Sequence, residues 1–108
     1  MSGFDRRREG MESKFVLDEE QKFKATMRRD KLVGLWAAEK LGLSGASAED
    51  YAVSVVKSDL REPGDADIIG KIHADFAAAG VAVSDNDIRA ALDARMRDAV
   101  AQIAGSAD

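Results

Sequence analysis

Three short breaks constrain this chain more than any other feature. They read "LGLSG" at residues 41–45, "EPGD" at 62–65 and "GVAVS" at 80–84. Gly42, Pro63 with Gly64, and Gly80 are residues that end helices or permit turns. Between the breaks the apolar residues recur every three or four positions, the period of one helix face. A chain cut this way forms four amphipathic helices, and connections this short make neighbouring helices run roughly antiparallel. The expected fold is therefore all-α, a small four-helix bundle.

The first helix is expected from about Leu17 to Leu41. Asp18, Glu19 and Glu20 suit its positive end, and Gly42 takes the left-handed position after it. Its apolar face is read as Phe23, Met27, Leu32, Leu35 and Trp36, with Trp36 in the core. The run is longer than the others, so this helix is expected to project. The second helix is read from Ser47 as N-cap with Asp50 as an approximate reciprocal partner. Its face is Tyr51, Ala52, Val55, Val56 and Leu60, and Pro63 and Gly64 turn the chain after it. The third spans about Asp65 to Ala79, with Ile68, Ile69, Ile72, Phe76 and Ala79 as its stripe and Gly80 closing it. "VAV" at 81–83 is read as an apolar linker lying on the core. The last begins at Ser84, and Ile88, Leu92, Met96, Ala99 and Ile103 step by four, four, three and four. Arg89, Asp93, Arg97 and Asp98 fill the opposite, solvated face.

Composition removes several functional classes. No cysteine is present, so a disulfide framework or thiolate metal site is unavailable. A single histidine, His73, excludes the His-rich zinc constellations and reads as a partly exposed helical residue. No run approaches the roughly 18 apolar residues of a membrane span, and no secretory leader is visible. Residues 1–31 carry nine Lys/Arg against seven Asp/Glu, leaving residues 32–108 with seven against thirteen. An acidic body of net −6 argues against a nucleic-acid partner.

Catalytic and cofactor motifs are not found. The acidic strings "DAD" at 65–67 and "SDND" at 84–87 stand where helix N-termini take capping oxygens, and "AAAGVAV" lacks the Lys-Ser/Thr of a phosphate loop. No cofactor and no metal are expected. A helical domain that weakly binds an adenine nucleotide or other anion is the alternative, with the helix N-termini at Ser47, Asp65 and Ser84 as candidate sites. Gly34, inside the first helix, costs helix stability and suggests close approach of a neighbouring helix or a partner. "RRD" at 28–30 reads as a solvated face of helical pairs.

Residues 1–17 stand apart as an arm. Phe4, Met11 and Phe15 share one helix side among Arg6, Arg7, Glu12 and other charges, and Gly3 and Gly10 weaken any helix there. Burying those three side chains returns less free energy than ordering about fifteen residues costs, so the arm is expected to order only in a partner's groove. The folded domain is placed at 18–105.

The runs "FDRRREGMESKF" and "RRDKLVGLWAAEKLGL", and "VVKSDLREPGDADI" after them, resemble the zeta subunit family of alphaproteobacterial F-type ATP synthases, over nearly the whole chain. That resemblance implies a four-helix protein that is not an enzyme and that inhibits ATP hydrolysis by the catalytic head. In such proteins the N-terminal segment enters the interface of the beta, alpha and gamma subunits, and rotation in the synthesis direction expels it. By the same resemblance the segment runs from Phe4 to about Lys24. Phe4, Arg6, Glu12, Phe15, Asp18 and Phe23 match the family pattern, and Arg7 and Met11 join them as partner-binding candidates. Trp36, Gly42, Pro63 and Gly64 are structural positions. The family commonly has asparagine where this chain has Asp30. The free chain is expected to be a cytoplasmic monomer that associates peripherally with the inner-membrane synthase, without inserting into the membrane.

Overall fold

The computed structural model describes residues 17–106. Among these residues four helices follow one another and no strand forms: α1 (Glu19–Lys40), α2 (Gly45–Arg61), α3 (Asp65–Ala79) and α4 (Asp85–Ser106). α1 packs against both α2 and α4, and α3 closes the core against α2 and α4. α1 has 22 residues, as α4 does, so it is longer than α2 and α3, as expected, but not longer than α4. The candidate arm residues Phe4, Arg6, Arg7, Met11, Glu12 and Phe15 lie outside the described residues.

The helix ends follow from local chemistry. Asp18 caps α1, its carboxylate accepting from the Gln21 N–H at 2.7 Å while Gln21 Oε1 accepts from the Asp18 N–H at 3.1 Å. Two orphan donors are satisfied by this reciprocal pair. At the other end Gly42 adopts φ 81°. Its N–H bonds the Glu39 carbonyl and the Leu43 N–H bonds the Ala38 carbonyl, the two bonds of a Schellman stop. α3 ends with the same pair of bonds, from Gly80 to Ala77 and from Val81 to Phe76. Between α2 and α3 the chain turns at Pro63, and Gly64 takes φ 137°, a conformation closed to side chains with a Cβ. Ser84 and Asp87 form the second reciprocal cap, at 3.1 and 3.2 Å, at the start of α4.

The N-cap of α2 is Ser44, three residues before the expected Ser47, which lies inside the helix. Ser44 makes no side-chain capping bond, so the box-like spacing from Ser47 to Asp50 drew the expectation to the wrong serine.

The main core gathers Val33, Ala37, Val55, Ile68, Ile69, Ile72, Phe76, Ile88, Ala91 and Leu92. Val81 and Val83 of the linker pack on it as expected, and Trp36 meets Phe76 edge-to-face at 5.9 Å from a half-buried position. A smaller cluster of Ala25, Ala99 and Ile103 takes in Leu17, so Leu17 belongs to the folded domain rather than to the arm. Ala79, read as part of the α3 stripe, is exposed.

The face of α1 needs correction. Its buried residues are Ala25, Arg29, Asp30, Val33, Gly34, Ala37 and Ala38, whereas Phe23 is 56% exposed and Met27, Leu32 and Leu35 are only half-buried. α1 turns its small residues inward because α2 approaches it very closely. A Cβ on Gly34 would stand 2.6 Å from the Ala52 Cα, a separation no packed side chain occupies. The larger apolar side chains of α1 are consequently left on the surface. On α2 the same shift leaves Leu60 52% exposed while Ala52, Val55, Ser58 and Asp59 are buried.

Candidate functional site

The surface left by this packing carries the candidate site residues that lie within the described chain. Phe23 stands one turn into α1, beyond the Asp18 cap. It lines a groove of about 520 Å³ with Lys22, Met27, Leu60, Pro63 and Gly64. Two of the large apolar side chains most open to solvent, Phe23 and Leu60, therefore share one wall-to-wall depression. Asp18, the other described candidate, holds the start of α1 through its cap rather than lining the groove.

Beneath the groove lies a charged cluster. Arg29 is buried on α1 and reaches three carboxylates on three helices. Its Nε and Nη2 donate to Asp30 Oδ1 at 3.1 and 2.9 Å, Nη1 stands 3.1 Å from Asp65 on α3, and Nη2 stands 3.8 Å from Asp59 on α2. Asp59 Oδ1 also accepts from the Gly64 N–H at 3.3 Å, which ties the α2–α3 turn to the same cluster. Burial alone would lower the Arg29 pKa, but the hydrogen bond and charge of Asp30, with those of Asp65, raise it above the usual value. Arg29 is a permanent cation here.

Asp30 is fully buried, and its Oδ2 has no donor facing it. Burial first, and then a hydrogen bond shared with Asp59, push its carboxyl up to about 8, against the opposing pull of Arg29. The unmatched oxygen and the Asp59 hydrogen bond are reconciled by a proton on Oδ2. Two carboxylates cannot bond as acceptors alone, whereas a protonated Asp30 donates to Asp59. Burial and Asp59 thus favour the protonated form of Asp30, whose Oδ1 accepts from Arg29.

The expectation that "RRD" forms a solvated face is corrected by this cluster: only Arg28 is exposed, and its Nη1 donates to Gln102 Oε1 on α4 at 3.0 Å. The pattern Ala25, Arg29, Val33, Ala37 at steps of four was the available signal, and it went unread because its members are small or charged. Asp65, read as a capping residue, pairs with Arg29 instead, while Gly64 occupies the N-cap of α3 without a side-chain bond.

Other polar contacts are structural. Tyr51 donates to Asp75 Oδ2 at 2.7 Å, and Lys71 meets the same carboxylate at 3.1 Å while lying over the Tyr51 ring. Burial and then the Asp75 hydrogen bond push the Tyr51 phenol well above its ordinary range, so it stays protonated. His73 pairs with Asp85 at 2.9 Å with both side chains more than half exposed, and it joins no nucleophile. Of the N-termini read as anion sites, that of α4 has its Ser84 hydroxyl and N–H engaged with Asp87, and the Asp65 carboxylate at that of α3 faces Arg29.

The fold and this surface define a small all-helical domain whose exposed Phe23, on the first turns of α1, and Leu60, at the end of α2, meet in one groove. The family model for "ATPase inhibitor subunit zeta" matches residues 1–102, and the chain belongs to that family, a family of regulatory rather than catalytic proteins. Among solved structures the chain is similar to one described as "Solution NMR structure of the protein", 42% identical, with a TM-score of 0.67, covering 75% of this chain and 92% of that one. No curated protein matches the chain.

Proposed function

We propose that this chain is an inhibitory regulatory subunit of an F-type ATP synthase. It acts by inserting its N-terminal segment, from Phe4 to about Lys24, where the catalytic beta subunit, its alpha neighbour and the gamma stalk meet. The observation that carries this reading is the span of the family match, which begins at residue 1 and so takes in the arm as well as the four helices. The position of Phe23 supports it: a phenylalanine left 56% exposed on a capped, rigid helix gains free energy when a partner covers it. Insertion stops rotation by occupying a closing interface, and the cost of ordering the arm keeps binding weak enough to be reversed.

The test is a titration of the full chain into the purified catalytic head of its own organism's synthase, following ATP hydrolysis and complex formation. Hydrolysis is expected to fall to a low residual level near one inhibitor per head. Unchanged hydrolysis at stoichiometric excess, with no complex on gel filtration, overturns the reading.

A further inference from the structure

A second groove, of about 570 Å³, adjoins the first at Met27 and is walled by α2 and α4. Met27, Leu32 and Leu35 form its apolar floor, and Val56 and Ile103 face them from the walls. These are among the residues that α1 left outward when its small face turned to α2. Along the same floor stand Lys24, Arg28 and Lys31, at i, i+4 and i+7, one row on a helix. Among the described residues Glu49 is the one acidic side chain that lines the groove, paired with Lys31 at 3.6 Å. From residue 24 to residue 35 the floor runs about 17 Å, roughly three helical turns.

We infer that this groove is a docking site for an acidic amphipathic helix of a partner protein, seated with its apolar side on Met27 and Leu35 and its carboxylates on Lys24, Arg28 and Lys31. Charge complementarity selects this occupant. The row is cationic although residues 17–108 carry twelve Lys/Arg against seventeen Asp/Glu, and at physiological salt charges are felt over about 8 Å, so the local row governs contact. A second copy docked symmetrically would set the same cations against each other. The chain's own residues 1–16 carry four Lys/Arg against three Asp/Glu, a net positive charge that the cationic row disfavours. A groove three turns long fits a helix better than a flat membrane does. The present partners of the row are exposed, Lys24 with Glu20 at 3.6 Å, Lys31 with Glu49 and Arg28 with the neutral Gln102 Oε1 at 3.0 Å, and a carboxylate is a stronger acceptor for Arg28 than that amide.

The test uses the full chain labelled with ¹⁵N and two synthetic helical peptides with leucine at i, i+4 and i+7. One carries glutamate and the other lysine at the remaining positions. The acidic peptide is expected to give saturable amide shifts at residues 24–35, 56 and 103, stronger at low salt. The double variant Lys24→Glu/Lys31→Glu, with an unchanged circular dichroism spectrum, should bind about tenfold more weakly. Deleting residues 1–16 should leave this binding intact, which separates it from the arm. Absence of saturable shifts, equal binding of the lysine peptide, or shifts centred on Phe23 and Leu60 overturns the inference. Overturning it equally would be a dimer by sedimentation that Leu35→Asp abolishes, or binding to anionic phosphatidylserine vesicles through the same residues.

Discussion

Replacing Asp30 by asparagine tests the buried proton. In the structure Asp30 is fully buried beside Arg29 on its own helix and Asp59 on α2, with its carboxyl pushed up to about 8. In the unfolded chain its pKa returns to about 4. The folded state therefore binds the extra proton between these values, and the contribution of Asp30 to stability is full below about pH 4. It is lost as pH rises towards 8, at up to about 1.4 kcal/mol per unit. Relaxation of the cluster reduces the total, leaving roughly 3–5 kcal/mol over the window.

Asparagine keeps the hydrogen bonds from Arg29 to its Oδ1, can offer an Nδ2 donor on the Asp59 side, and never ionises. Urea unfolding of parent and Asp30→Asn, followed by circular dichroism at pH 5, 6, 7, 8 and 9, isolates the residue, because the other carboxylates cancel in the difference. The variant should gain on the parent steadily from pH 5 to 8, lead it by roughly 2 kcal/mol or more at pH 8, and hold that lead above. If Asp30 were instead an ionised partner of Arg29, removing its charge would cost about 3–5 kcal/mol at pH 8. A variant that is weaker at pH 8, or a difference that does not change with pH, refutes the reasoning.

Three further outcomes follow from the packing and the arm. Gly34→Ala gains about 1 kcal/mol of helix propensity but drives a Cβ to 2.6 Å from the Ala52 backbone, so a net loss of about 1–3 kcal/mol by urea unfolding is expected; unchanged stability would contradict the close α1–α2 contact. Phe23→Ala should alter stability by less than about 1 kcal/mol while weakening ATPase inhibition, and full inhibition would remove Phe23 from the partner surface. Gly10→Ala favours helix in the arm by about 1 kcal/mol and should tighten inhibition up to about fivefold; inhibition that is equal or weaker argues against a helical bound arm.

Much of the fold was legible because it rested on punctuation. α3 begins and ends at Asp65 and Ala79 as its stripe and Gly80 indicated, and α4 begins after Ser84, where hydroxyl and carboxylate satisfy each other's backbone donors. The face of α1 was not legible from large residues. Helix approach distance decides which side turns inward, and the close contact at Gly34 favoured alanine and glycine over Phe23, Met27 and Leu35. The Arg29 cluster was hidden for a different reason. Its members come from three helices, so "RRD", "SDL" and "GDAD" are ordinary surface strings until the turn at Pro63 brings Asp59 and Asp65 to Arg29. Asp18 was read for its charge, although Gln21 three residues on already signalled a reciprocal cap.

In the proposed function the arm inhibits and the helical domain carries it. Its most direct test compares the full chain with a chain lacking residues 1–16, which keeps Leu17 in the Ala25–Ala99–Ile103 cluster. Both are titrated into the same purified catalytic head while ATP hydrolysis is recorded. The full chain should suppress hydrolysis, and the shortened chain should leave it at the uninhibited rate while showing the same helical spectrum and melting temperature. Full inhibition by the shortened chain would contradict the account.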